Sequence, residues 1–177
     1  MEGDERIRLF CALRLPEAAL DGLVAWQHAH LPAARLVPRG NLHVTLAFLG
    51  HRPAAELPAV VAELRAAAAA AGPLRLEVER YRETRSVAML VLADEGGAAA
   101  ALAGDLHARL ERIGAYRGEA RRWTAHLTVA RFRERPRLRP PLPEVGTLVP
   151  SDAAAYLSRL RPGGAEYDVL ESVALGG

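Results

Sequence analysis

Two histidine and threonine pairs carry the chemistry that this sequence could perform. His43 and Thr45 stand in the run Asn41-Leu42-His43-Val44-Thr45-Leu46-Ala47-Phe48-Leu49-Gly50, and the order His, aliphatic, Thr, aliphatic, Ala returns at His126-Leu127-Thr128-Val129-Ala130. Two imidazoles facing one another could work as a general acid and a general base, because an unperturbed pKa of about 6.5 lets one ring be charged while its partner is neutral near neutral pH. A single His-x-Thr says little. Two copies in matching apolar runs suggest two similar lobes, each delivering one imidazole and one hydroxyl. An arginine also stands four residues before each histidine, Arg39 and Arg122.

Each run reads as a buried strand bounded by glycine or by polar residues. Alternation then puts His43, Thr45 and Ala47 on one face and Val44, Leu46 and Phe48 on the core face. By the same rule Arg131 would turn away from His126, and only a strand end or a bulge could bring it to the same side.

The elements that must position these strands follow in order. Arg6 to Leu15 reads as a first strand, and Pro16-Glu17 opens a helix that runs to about His30 with Leu20, Leu23, Val24 and Trp26 as its apolar face. Pro32, Pro38 and Gly40 end that helix. A second helix spans Leu57 to Ala71, with Val60, Val61 and Leu64 buried. Two strands, Leu74 to Tyr81 and Val87 to Ala93, precede a third helix from Ala98 to about Ile113, on which His107 reads as a surface or edge residue. Gly114 and Gly118 stop it before the His126 strand. Arg133 to Pro150 is a long excursion rich in Pro and Arg, of a length that is often functional. Apolar segments around Arg161-Pro162-Gly163-Gly164 make a closing hairpin. The order β-α-β-α-β-β-α-β plus hairpin predicts an α+β fold with antiparallel sheets rather than a doubly wound one.

Composition narrows the class. With 177 residues, half of them hydrophobic and a quarter charged, the chain is one globular domain or two small lobes sharing a core. One cysteine, Cys11, excludes an internal disulfide and suits a reducing compartment. No apolar run is long enough to span a membrane, and the polar, acidic start is unlike a secretory signal, so the expected location is the cytoplasm. Every one of the 23 basic side chains other than histidine is arginine, and Arg121, Arg122, Arg131, Arg133, Arg135, Arg137 and Arg139 crowd around the second motif. Arginine's planar fork suits phosphate, and a local basic patch suits nucleic acid.

These motifs resemble the 2H phosphoesterases. Asn41 to Gly50 is similar to the first motif of that family, Ala125-His126-Leu127-Thr128-Val129-Ala130-Arg131 to its second, Arg8-Leu9-Phe10-Cys11-Ala12-Leu13 to its opening strand, and Tyr156 to Leu160 with Gly164 to Tyr167 to its closing hairpin. The nearest branch is the bacterial and archaeal RNA 2′,3′-cyclic phosphodiesterases, formerly called 2′-5′ RNA ligases. The chain departs from the pattern at Cys11, where a second aromatic often follows the first, and at Ala125, where proline is usual. The resemblance implies one two-lobed domain over residues 1–177, two pseudo-symmetric lobes of antiparallel sheet lining a central cleft, and helices outside. It implies hydrolysis of a terminal 2′,3′-cyclic phosphate to a 2′-phosphate without metal or cofactor, possible reversal as 2′-5′ ligation, and RNA ends or small cyclic nucleotides as partners of a monomer. It also implies His43 as proton donor and His126 as proton acceptor, an assignment the near-equivalent motifs do not decide by themselves.

That chemistry agrees with the residues. Opening a cyclic diester needs water deprotonated on one side of phosphorus and a leaving oxygen protonated on the other. Thr45 and Thr128 share the parity of their histidines and could hold the non-bridging oxygens, and Arg131 is the nearest cation for their growing charge. A metal site is disfavoured because no Asp, Glu, Cys or third His adjoins the motifs. The competing reading is a non-catalytic module that binds nucleotides or RNA ends in the same cleft.

Overall fold

The computed structural model describes residues 5–31 and 34–176. Its strands are β1 (Arg6–Leu13), β2 (Arg35–Leu36), β3 (Val44–Pro53), β4 (Leu76–Glu83), β5 (Val87–Asp94), β6 (His126–Arg131), β7 (Asp152–Arg161) and β8 (Gly164–Ala174). Three helices, α1 (Glu17–His30), α2 (Leu57–Ala70) and α3 (Ala98–Arg112), complete it. Two antiparallel sheets form, in the orders β3-β1-β7-β8 and β2-β6-β5-β4. The expected α+β class with two antiparallel sheets holds. Among the described residues no helix is long and apolar enough to cross a membrane.

The unit β1-α1-β3 recurs as β5-α3-β6: in each, a strand, a helix and a second strand antiparallel to the first. The second strand bears the histidine motif. One buried core joins both sheets, with Cys11, Leu13, Val44 and Leu46 from the first, Leu90, Leu92, Leu127 and Val129 from the second, and Leu23, Leu64, Leu102 and Leu106 from the helices. Alternation along β1 sends Cys11 into this core, where it is fully buried, and Phe10 to the other face. Burial pushes the Cys11 thiol up to about 12, so it is not a nucleophile at neutral pH.

Most boundaries fall where periodicity put them. β1 ends at Leu13, two residues early, although the N–H of Arg14 still bonds the Asp152 carbonyl of β7. Pro38 leads a short 3-10 turn, Arg39–Asn41, into the motif, whereas Pro32 lies outside the described residues. The two-residue β2 carries no sequence signal; it is held by pairing with Ala130 and Arg131. Arg133 to Pro150 is indeed without a long strand and meets β4 through one bridge, Leu76 to Leu148.

The excursion is nonetheless pinned. Glu83, buried at the end of β4, accepts from the Tyr81 hydroxyl (2.6 Å), the N–H groups of Arg137 and Leu138 (2.8 Å each) and the Arg135 guanidinium (3.3 Å). Burial alone would raise this carboxyl's pKa, but the four donors hold it below the usual range. Arg135 is therefore a structural cation.

Candidate active site

Both motif strands are bulged, and at the same place. In the pairing of β1 with β3, Ala12 faces Thr45 and Cys11 faces Ala47, so Leu46 is the extra residue. In the pairing of β5 with β6, Met89 faces Thr128 and Ala88 faces Ala130, so Val129 is the extra residue. A bulge inserted after each threonine reverses the parity beyond it. Ala47 and Ala130 turn into the core, and Phe48 and Arg131 turn out to the cleft.

This corrects one expectation and fulfils another. Phe48 is not a core residue: it is 44% exposed and lies under the Arg8 guanidinium, 4.6 Å from its ring centre. Arg131 has the bulge it needed, and it shares a cavity of about 620 Å³ with His43, Thr45, His126 and Thr128. All five residues singled out from sequence line that one cavity.

Each bulge is braced by a helix of the other repeat. Gln27 of α1, 1% exposed, donates from Nε2 to the carbonyl of Val129 (2.8 Å) and to that of Val37 (3.0 Å). His107 of α3 approaches the carbonyl of Leu46 with Nε2 at 2.7 Å, and since a carbonyl only accepts, that nitrogen carries the proton. His107, expected at the surface or an edge, is half-buried and bonded, with Tyr116 stacked on it at 4.6 Å. Neither brace was legible, because a lone Gln or His on a helix face does not say which distant carbonyl it meets. The Trp123 indole adds a further tie, donating to the carbonyl of Thr45 (3.1 Å).

The two rings are oriented by one device. Nδ1 of His43 donates to the carbonyl of Asn41 (2.8 Å) and Nδ1 of His126 to that of Thr124 (3.0 Å), each two residues back. In both, Nε2 is left for the cleft. Nε2 of His43 meets Thr45 Oγ1 at 2.9 Å. His43 is enclosed by Phe10, Tyr156 and Tyr167, whose ring centres lie 4.9, 5.9 and 5.5 Å away. Burial, reinforced by the charges of His126 and Arg131, lowers its pKa to about 4, although the bond to Asn41 opposes this. His43 is therefore neutral at pH 7, and the Thr45 hydroxyl donates to its Nε2. No aromatic ring packs on His126 among the described residues.

Phe10, Tyr156 and Tyr167 form a small apolar cluster on the cleft face of the first sheet, with Phe10 stacked on Tyr156 at 4.8 Å. The cavity also takes in Arg8, Arg35 and the hairpin residues Gly163 to Ala165. Asn41 fixes that hairpin by donating to the carbonyl of Ala165 (2.8 Å). Gly164 has φ +128, a backbone conformation that favours glycine, and the Arg35 guanidinium lies over it. The shared spacing of Arg39 and Arg122 marks no shared role. Arg39 is tied to Glu17 and Asp21, whereas Arg122 lines a further part of the cleft.

Residues 15–161 match the family described as the 2′-5′ RNA ligase superfamily. Among solved structures, Escherichia coli LigT in apo form is similar at 25% identity and a TM-score of 0.82, covering 98% of this chain and 100% of its own. TT0787 of Thermus thermophilus is similar at 32% identity and a TM-score of 0.82, covering 97% of this chain and 99% of its own. LigT has also been solved complexed with 3′-AMP, at 25% identity, a TM-score of 0.82 and the same coverage as its apo form. No curated protein matches the sequence.

Proposed function

The chain belongs to the 2′-5′ RNA ligase superfamily, the 2H phosphoesterases, and from that premise we propose that it opens the 2′,3′-cyclic phosphate at an RNA end to leave a 2′-phosphate. The observation that carries this reading is one cavity of a single chain lined by two imidazoles, two hydroxyls and one guanidinium, the last turned in by the bulge at Val129. The nucleotide in the LigT complex is of the same chemical class as such an end.

In the proposed reaction His126 Nε2 takes a proton from water as the water oxygen bonds to phosphorus. The bond from phosphorus to O3′ breaks, and His43 Nε2 gives its proton to that oxygen. The products are a 2′-phosphate and a free 3′-hydroxyl, with the proton moved from His43 to His126; exchange with solvent resets the pair. Thr45, Thr128 and Arg131 hold the non-bridging oxygens, whose charge grows in the transition state. Replacement of the water by a 5′-hydroxyl would run the same steps as 2′-5′ ligation.

The lowered pKa of His43 fits a proton delivered with the substrate. A phosphate anion between the rings opposes the repulsion from His126 and Arg131, so its arrival raises the affinity of His43 for a proton. Thr45 then releases Nε2 and turns to the phosphate. The cytoplasm is the matching setting, since the substrate is RNA and the one cysteine is a buried free thiol.

The test is an incubation in EDTA with an oligoribonucleotide ending in a 2′,3′-cyclic phosphate. Turnover to the 2′-monophosphate is expected. Formation of the 3′-monophosphate would overturn the assignment of the leaving oxygen, and binding without ring opening would overturn the enzyme reading in favour of a binding module.

A further inference from the structure

Past the histidines the cleft continues into a second arm of about 680 Å³ that the proposed reaction does not use. Thr45, Phe48 and His126 line both arms, so the two meet at the reacting centre. The first arm holds the aromatic cluster, whereas the second is set by arginine. Arg80 and Arg82 of β4 face Val91 and Met89 across the sheet, after a bulge at Glu79 has brought them to the cleft side. Arg121 and Arg122 reach the same arm from the segment before β6. Glu111 and Glu119 are its acidic residues, leaving an excess of positive charge, and none of the four arginines makes an ion pair among the described residues. Trp123 and Tyr116 supply aromatic surface beside them.

Four guanidinium groups without an ion-pair partner among the described residues, next to indole and phenol rings in a groove that opens onto a phosphate-reacting centre, have the makings of a single-strand nucleic-acid track. We propose that this second arm binds the phosphodiester backbone of single-stranded RNA, and so makes the protein prefer a polynucleotide to a cyclic mononucleotide. The proposal rests on the phosphodiesterase reading for its substrate. The arginines concerned are not those of the Arg133 to Arg139 run, of which Arg135 is spent on Glu83. The bound backbone has two possible sources: the strand that carries the cyclic end, or a second strand presenting its 5′-hydroxyl.

Two double variants, R80Q/R82Q and R121Q/R122Q, replace exposed side chains that two separate stretches of chain bring to the arm. For a pentanucleotide with a cyclic end, kcat/KM should fall at least about 10-fold more than for a cyclic mononucleotide, and its salt dependence should become shallower by about one unit of slope for every phosphate the arm no longer holds. If the second strand is the occupant, both variants will instead weaken fluorescence-anisotropy binding of a 5′-hydroxyl oligonucleotide lacking a cyclic end, by a similar factor. Equal losses on mononucleotide and pentanucleotide, or no loss in either turnover or binding, would overturn the track. Absence of turnover in the parent protein, with the anisotropy effect intact, would overturn the enzyme reading while leaving the track standing.

Discussion

Residues 43–48 and 126–131 have the same backbone plan and different surroundings. In both, Nδ1 of the histidine donates two residues back, the threonine follows, a bulge comes next and an alanine enters the core. Yet His43 sits in a nest of three aromatic rings and loses its affinity for protons, while His126 has none against it among the described residues. The residue that the bulge expels is Phe48 in one strand and Arg131 in the other. Symmetry thus supplies the geometry, and asymmetry of burial and charge distinguishes the two strands, as the opposite proton transfers proposed for them require.

The largest expected effect tests the shared plan. His43→Ala and His126→Ala should each lower turnover of a cyclic-ended oligonucleotide by about 10² to 10⁴-fold, the usual worth of one positioned proton transfer. Full activity in either variant would remove that ring from the mechanism and end the equivalence.

The next effect is on stability, and it concerns His43. A histidine whose folded pKa lies near 4, against 6.5 when unfolded, imposes no penalty above pH 6.5 and takes stability away as the pH falls from 6.5 towards 4. The loss should approach about 3 kcal/mol, read by denaturant unfolding across that range. NMR titration of the His43 ring should give the low value directly, moving upward when inorganic phosphate is added. A ring that titrates near 6.5 in the free protein would erase the contrast in burial.

Arg131→Ala should then cost about 10 to 10²-fold in kcat, because it removes charge from the transition state. Phe48→Ala, its counterpart, should change KM by only a few-fold. Equal losses would mean that the expelled residues do the same work.

Smaller still is the effect of the braces. His107→Leu should cost about 1 to 3 kcal/mol by removing the donor to the buried Leu46 carbonyl, and Gln27→Leu less, because the Val129 carbonyl still accepts from the Val37 N–H. His107→Gln, which keeps an N–H donor, should recover much of the loss. The informative readout is remote: Gln27→Leu should shift the His126 ring signals, and His107→Leu those of His43, whereas purely local destabilisation would leave both in place.

Much of this was legible in the residues. The repeat of His-x-Thr named the two strands, and apolar periodicity placed all three helices. Arg131 was legible only as a conflict: its chemistry called for the cleft while alternation turned it away, and the conflict pointed to the bulge that is found. Phe48 went to the wrong face because nothing in Val44 to Leu49 signals where an extra residue enters. The bulge is imposed by neighbours, through the register with β1 and the carbonyl contact from His107. The arginine-lined arm was illegible for a similar reason, since Arg80 and Arg82 are far in sequence from Arg121 and Arg122 and only the folded chain brings them to one arm.

The crossed braces have a consequence for how the molecule comes apart. Because α1 of the first repeat props β6 of the second, and α3 of the second props β3 of the first, neither half can loosen without withdrawing support from the other's reacting strand. The amides of β3 and β6 should therefore exchange with deuterium together, at one common opening free energy, as a single cooperative unit rather than as two separable ones.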